Sequence, residues 1–193
     1  NNFAVWNTLS YSSHTISHGN LNAASTGGTS MIYANMAIPQ FGRWYCEIRM
    51  ASGTSSSHMG VQPDLYNGGY GEKFRILARR DRQVWWNGDG GNVGSSSSGV
   101  AWSQNTIITM LCDVDEETLT FHIPRDNEIA TFPFIDFKNP LNRSRTFFVL
   151  ASSGLSHVAN FGQNPDFSGG KTDYSGGNNS DGSWSDANGI GRF

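Results

Sequence analysis

The sequence predicts an all-β fold: a single two-sheet antiparallel β-sandwich followed by a long polar C-terminal tail. Three observations predict it. Compact apolar runs are separated by short stretches of Ser, Gly, Asn and Thr, which is how many short strands joined by turns read. In the clearest runs apolar residues recur at every second position, the period of a half-buried strand. No window is rich in Ala, Leu, Glu, Lys and Gln, so helix formers are nowhere concentrated. Composition agrees: of 193 residues, 37% are apolar, 12% aromatic and only 15% charged, with 23 glycines. A chain of this length suits one domain and buries about 70% of its unfolded surface, enough for a core without covalent staples.

Taken in order, Phe3-Ala4-Val5-Trp6 and Thr15-Ile16-Ser17 read as edge strands, and 31–38 as a strand carrying Met31, Ile32, Tyr33, Met36 and Ile38. In 44–50 the alternation is clean: Trp44, Cys46, Ile48 and Met50 are expected inside, with the charged Glu47 and Arg49 outside. Strands follow at 58–62, 74–78 and 83–87. Ile108, Met110, Cys112 and Val114 are expected inward, with Thr109, Asp113 and Asp115 outward. After a turn at Glu116-Glu117, Leu119, Phe121 and Ile123 face in while Thr118, Thr120 and His122 face out, so the two runs form a hairpin. Strands at 146–151 and 156–161 close the sandwich. Loops are expected at 52–57, 87–99 and 164–185, with Gly19, Gly27-Gly28 and Gly68-Gly69 in turns. The sandwich spans 1–167. From Phe167 to Gly191 the chain is rich in Gly, Ser, Asn and Asp and nearly free of aliphatics, so 168–193 is expected to be a tail or linker anchored only by Tyr174 and Trp184. The start at Asn1 without Met, and the close at Gly189-Ile190-Gly191-Arg192-Phe193, suggest a piece of a longer polypeptide.

A net charge of −3 argues against nucleic acid as a bulk partner, because phosphate binding needs a basic face. No apolar run approaches the roughly 18 residues of a membrane helix. Cys46 and Cys112 each sit in a strand-like run; two buried thiols are the expectation and a disulfide the alternative. Two Cys without His at ligand spacing make no zinc site.

Several runs recur together in one family. Asn2-Phe3-Ala4-Val5-Trp6-Asn7-Thr8-Leu9 with His18-Gly19-Asn20-Leu21 resembles the opening of SPRY-like domains of bacteriophage structural proteins. Gly42-Arg43-Trp44-Tyr45-Cys46-Glu47-Ile48 resembles their G-K-W-Y-W/F-E-V strand, and Met59-Gly60-Val61 the I-G-V that follows. Asp113-Val114-Asp115 with Thr118-Leu119-Thr120-Phe121 is similar to the central D-x-D…T-L-T-F hairpin, and Ala159-Asn160-Phe161-Gly162-Gln163 with Pro165 and Phe167 to the closing A-N-F-G-Q-x-P-F. The order holds over residues 2–167. The resemblance implies a concanavalin A-like SPRY jelly roll that binds or assembles and does not catalyse. Lys171-Thr172-Asp173 and Ser185 to Gly191 resemble the continuation in phage proteins, which implies a virion component. The chain departs from the pattern at Cys46, where a bulky aromatic is usual, at Pro124-Arg125-Asp126, where Lys-Asn-Gly is usual, and over Lys73 to Trp86, which is unusually basic.

Candidate binding residues follow from chemistry. Lys73, Arg75, Arg79, Arg80 and Arg82 place five cations in ten residues: an interface for an acidic partner, or a solvated face. Tyr66, Tyr70, Trp85, Trp86, Trp102 and Trp184 lie in or near loops and form either a platform for protein or sugar or packing anchors. Adjacent Trp85 and Trp86 must point to opposite faces, so one is expected outside. Asp113, Asp115 and Glu117 have the start of a calcium-loop spacing, but Thr118 and Pro124 stand where Gly and Glu are needed, so solvated carboxylates are the reading. Asp181, Asp186 and Asn188 could surround a hard cation, with an unstructured polar segment the alternative. The histidines (His14, His18, His58, His122, His157) form no HExxH, there is no G-x-S-x-G, and the E-x-D-x-x-E string of sandwich glycosidases is missing. Asn142-Arg143-Ser144 and Asn178-Asn179-Ser180 are sequons without meaning in a bacterial host. The expectation is a non-enzymatic structural or binding module of a phage virion, capsid-decorating or tail-associated. It works without cofactor or metal and contacts other virion proteins, its own copies included, and neither nucleic acid nor membrane. A lectin-like host-glycan adhesin is the alternative, and a glycosidase-like sandwich the weaker one.

Overall fold

The computed structural model describes residues 4–9, 13–25, 30–52, 57–63, 76–87, 93–96, 99–123, 126–133, 146–152 and 156–162. Thirteen strands are described: β1 (His14–Ser17), β2 (Asn22–Ser25), β3 (Ser30–Tyr33), β4 (Arg43–Ser52), β5 (Ser57–Pro63), β6 (Ile76–Arg79), β7 (Val84–Asn87), β8 (Val93–Ser96), β9 (Ile107–Asp113), β10 (Thr118–Ile123), β11 (Glu128–Pro133), β12 (Thr146–Ser152) and β13 (Ser156–Asn160). They form a seven-stranded sheet, β1-β2-β13-β4-β9-β10-β11, and a six-stranded sheet, β3-β12-β5-β6-β7-β8, every pairing being antiparallel. The expected all-β sandwich is the fold observed.

Alternation builds the core between the sheets. β4 pairs β9 with Cys46 opposite Met110 and Ile48 opposite Ile108, and β9 pairs β10 with Cys112 opposite Leu119 and Met110 opposite Phe121. All are buried, and from the other sheet Ile32, Met59, Val61, Ala78, Val84, Phe148 and Leu150 join them. Burying a large aliphatic side chain contributes about 1.5–3 kcal/mol, so this layer dominates stability. Trp6, Phe161 and Phe148 close one side; Trp6 and Phe161 meet edge-on at 5.2 Å between centroids, and the Trp6 Nε1–H donates to the Leu21 carbonyl at 3.0 Å.

Four expectations need correction. The strand expected at 3–6 is a single bridge, Trp6 to Ala34, and the strand expected over 31–38 ends at Tyr33. Asn35 explains both limits: its side-chain Oδ1 accepts from Val5 N at 2.9 Å while its backbone N–H donates to Val5 O, which turns the chain out of the ladder. β2 and β11 had no predicted strand, and β8 lies inside the predicted 87–99 loop. Glu47, Thr109 and His122, expected outside in water, are buried on the outer face of the seven-stranded sheet. Glu47 and Asn160 are cross-strand partners, and Asn160 Nδ2–H donates to Glu47 Oε2 at 2.7 Å. The tail boundary at 168–193 lies outside the described residues.

Candidate functional site

The strand directions leave two loop-bearing ends. At one, the β6–β7 turn meets the 99–106 connection and the β10–β11 turn; at the other, the β3–β4 connection meets the β9–β10 hairpin.

The predicted arginines lie at the first end. Arg79 Nη2 is 3.3 Å from Asp81 and its Nη1–H donates to Gln83. Arg82, whose φ of 70° places it in the left-handed region, pairs with Glu128 of β11, whose second oxygen accepts from Ala101 N at 2.8 Å. Backbone bonds stitch the same turn: Gly99 N to Arg82 O, and Trp102 N to Arg80 O. Gly99 is obligatory, because a Cβ there would lie 2.6 Å from the Val84 side chain and 2.7 Å from Arg82 O. Arg79 and Arg82 therefore tie turns and sheets together. Arg80 is half-buried between them. Lys73 and Arg75 lie outside the described residues.

The predicted aromatics do not gather into a described platform. Trp102 is only 4% exposed, sits in the core and donates its Nε1–H to Ser57 Oγ at 3.3 Å, so it takes the packing alternative. Trp85 and Trp86 lie in β7 in register with Leu77 and Ile76 of β6. Tyr66, Tyr70 and Trp184, and the tail residues Asp181, Asp186 and Asn188, fall outside the described residues.

The carboxylates at the second end are structural. Asp113 Oδ2 pairs with Arg43 at 2.7 Å while its Oδ1 accepts from Glu116 N. Asp115 Oδ1 accepts from Gly42 N at 3.1 Å, and Gly42 O accepts from Val114 N. These bonds lock the β9–β10 hairpin onto the β3–β4 connection. Gly42, at φ 83°, supplies a turn that L-residues resist. The locked loop holds Phe41 outward at 72% exposure, its carbonyl accepting from Trp44 Nε1 at 2.8 Å. Asp115 and Glu116 stand exposed beside it. Met36, in the same connection, is 39% exposed. This end of exposed apolar side chains beside acid is the candidate surface. Sequence reasoning missed it because Phe41 lies in no alternating run, and the one available signal was an aromatic directly before Gly in a Pro-containing connector (Pro39-Gln40-Phe41-Gly42).

Burial sets the chemistry of the remaining titratable groups. Both cysteines are free and buried. Burial, reinforced by the neighbouring Glu47 charge, pushes the Cys46 thiol well up; burial and Asp113 push Cys112 up to about 12. Neither is a nucleophile at neutral pH. His157 lies buried between the sheets with neither ring nitrogen bonded, and burial, with His14 nearby, lowers its pKa to about 3.

No family model matches the sequence, and no curated protein matches it. Solved structures do resemble the fold. The SPRY domain of human HERC1 superposes with a TM-score of 0.61 at 13% identity, covering 82% of this chain and 99% of that one. The TRIM65 PSpry domain gives 0.60 at 14% identity, over 82% and 92%. A human SPRY domain gives 0.57 at 9% identity, over 79% and 98%. At such identities the likeness establishes the fold, a SPRY-like β-sandwich, and the other chains are covered almost whole.

Proposed function

We propose that this chain is a non-enzymatic protein-binding module of a phage virion, and that its contact is made by the end bearing Phe41 and Met36. The observation that carries the binding reading is Phe41. Phe41 offers a large apolar contact area to a partner, and the Gly42–Asp115 and Trp44–Phe41 bonds hold its backbone in place before any partner arrives. A pre-ordered anchor loses little entropy on binding. With Asp115 and Glu116 alongside, the matching partner has an apolar pocket rimmed by Lys or Arg. The virion assignment is supported by the ordered motifs over 2–167 that resemble phage structural domains.

Two measurements test the two parts. Mass spectrometry of purified virions recovers the chain at a copy number that matches capsid or tail symmetry if the virion assignment holds. Cross-linking within those particles then gives partner contacts near Phe41, and Phe41→Ser weakens them by about tenfold or more, as expected of an anchor residue. Virions that lack the chain refute the assignment. A glycan-array signal indifferent to Phe41→Ser replaces the protein partner with a sugar.

A further inference from the structure

Four strands lie at the ends of the described sheets: β1 and β11 in one, β3 and β8 in the other. A sheet edge presents unpaired N–H and C=O groups that template another strand. β3 is partly covered, since Trp6 bridges Ala34 and Asn7 N donates to Tyr33 O at 2.8 Å. β1, β3 and β8 have 4 residues each, whereas β11 has 6. From Ile129 to Pro133 β11 carries no charge, and Ile129 (53% exposed), Thr131 and Pro133 stand exposed on one face. Edges are ordinarily blunted by charged side chains; among the described residues from Ile129 onward, only Pro133 guards this strand.

Pro133 also decides which backbone groups face outward. It pairs with Thr118 of β10 and has no N–H to give, which suits a position whose amide would point away from β10. Antiparallel ladders alternate, so the N–H and C=O of Thr131 and Ile129 then point away from β10 as well. The Thr120 and Thr131 hydroxyls, 2.8 Å apart, fit the closer, non-hydrogen-bonded kind of pair.

We infer that the chain self-associates through β11, two copies pairing antiparallel about Thr131 so that their seven-stranded sheets join across a two-fold axis. In that register Thr131 faces Thr131 of the second copy, Ile129 faces Pro133, and Ala130 faces Phe132. Opposed residues share a face, none is charged, and Thr–Thr is a favourable cross-strand pair. The two Thr131 residues exchange two backbone bonds, and each Ile129 N–H donates to a Pro133 carbonyl. Moving the axis to Ile129 would set Thr131 against Asn127, whose φ of 51° belongs to the turn and cannot continue a ladder. Because opposed residues about a two-fold axis come from one uncharged strand, self-complementarity favours a second copy over a foreign strand. This edge is separate from the Phe41 end. One strand pair makes a small interface, so the dimer is a weak one.

Sedimentation velocity over a concentration series reaching about 1 mM, where even a millimolar association is half-formed, reads the equilibrium. The wild-type chain is expected to shift from monomer to dimer along the series. Thr131→Pro removes an outward N–H while sparing the β10 ladder, and Ile129→Lys supplies the missing edge charge; each weakens association at least about tenfold. Thr131→Val, which loses the Thr120 bond but keeps the backbone, still dimerises. Circular dichroism confirms folding, and should Thr131→Pro misfold, Ile129→Lys carries the test. A wild-type chain that stays monomeric at the highest concentration, or folded edge variants that associate as wild type does, overturns the inference.

Discussion

Lowering the pH should destabilise this domain through one residue, His157. Its ring is fully buried opposite Met50 and Ala23, and neither nitrogen has a hydrogen-bond partner. Its value falls from an ordinary 6.5 to about 3 in the folded state. Above 6.5 the ring is neutral whether the chain is folded or not, so it contributes no pH dependence. Below 6.5 the unfolded chain binds a proton that the folded chain refuses, and stability falls by about 1.4 kcal/mol per pH unit until the folded ring itself titrates near 3. Between pH 6.5 and pH 4.5 that amounts to about 2.7 kcal/mol, a sizeable part of a typical 5–15 kcal/mol domain stability. His14, also lowered by burial, adds in the same direction. His157→Leu removes the titration and the unpaired buried nitrogens together, while carboxylates elsewhere titrate equally in both proteins and cancel in the comparison. Urea unfolding followed by Trp fluorescence at pH 7.5 and 4.5 measures it. The wild-type chain should lose about 2–3 kcal/mol more than His157→Leu over that interval, and the variant should be no less stable at pH 7.5. Equal losses in the two proteins would refute the argument.

Three further outcomes are expected. Gly60→Ala should cost at least about 3 kcal/mol or abolish soluble expression, because its Cβ would sit 1.8 Å from the Ile76 carbonyl oxygen of β6, a backbone atom that cannot swing aside; a thermal melt decides. Glu128→Ala should cost about 1–2 kcal/mol and Arg82→Ala less than about 1, since the ion pair is half in water while the carboxylate also satisfies the Ala101 amide; chemical denaturation of both variants shows whether that order holds. Cys46 and Cys112 should resist maleimide at pH 8 in the native chain and label together on unfolding, read by intact mass; rapid native labelling would contradict their burial.

The strands legible in the sequence were those whose alternation is strict and whose inner residues are large. In β4, β9 and β10 the inner positions (Cys46, Ile48, Met50, Ile108, Met110, Cys112, Leu119, Phe121) are apolar without interruption, so period alone located them. β2 reads Asn-Ala-Ala-Ser and β8 Val-Gly-Ser-Ser, with little volume to mark a face. They are strands because neighbours supply the ladder: β13 and β1 flank β2, and β7 pairs β8. β11 has a clear outer residue in Ile129 and an inner one in Phe132, yet the Pro at its end argues against a strand until the edge position is known.

Alternation assigns a side chain to a face but is silent about what lies over that face. Period alone sets Glu47, Thr109 and His122 opposite to the core, and opposite does not mean wet. The register instead brings Asn160, Glu47, Thr109 and His122 into one row across β13, β4, β9 and β10, where Asn160 bonds the carboxylate and every member is buried. Row membership is a property of strand order, and strand order joins residues more than a hundred positions apart. The candidate surface was hidden for the same reason. Phe41 is ordinary as a connector residue. Its backbone is held from far along the chain, where Asp115, seventy-three residues after Gly42, accepts from the Gly42 amide. The arginines show the same dependence on strand order, since the fold sets Arg79 beside Asp81 and Arg82 beside Glu128 of β11. Which charges in a dense segment stay available to a partner is thus set by residues far away in sequence, as Glu128 is for Arg82.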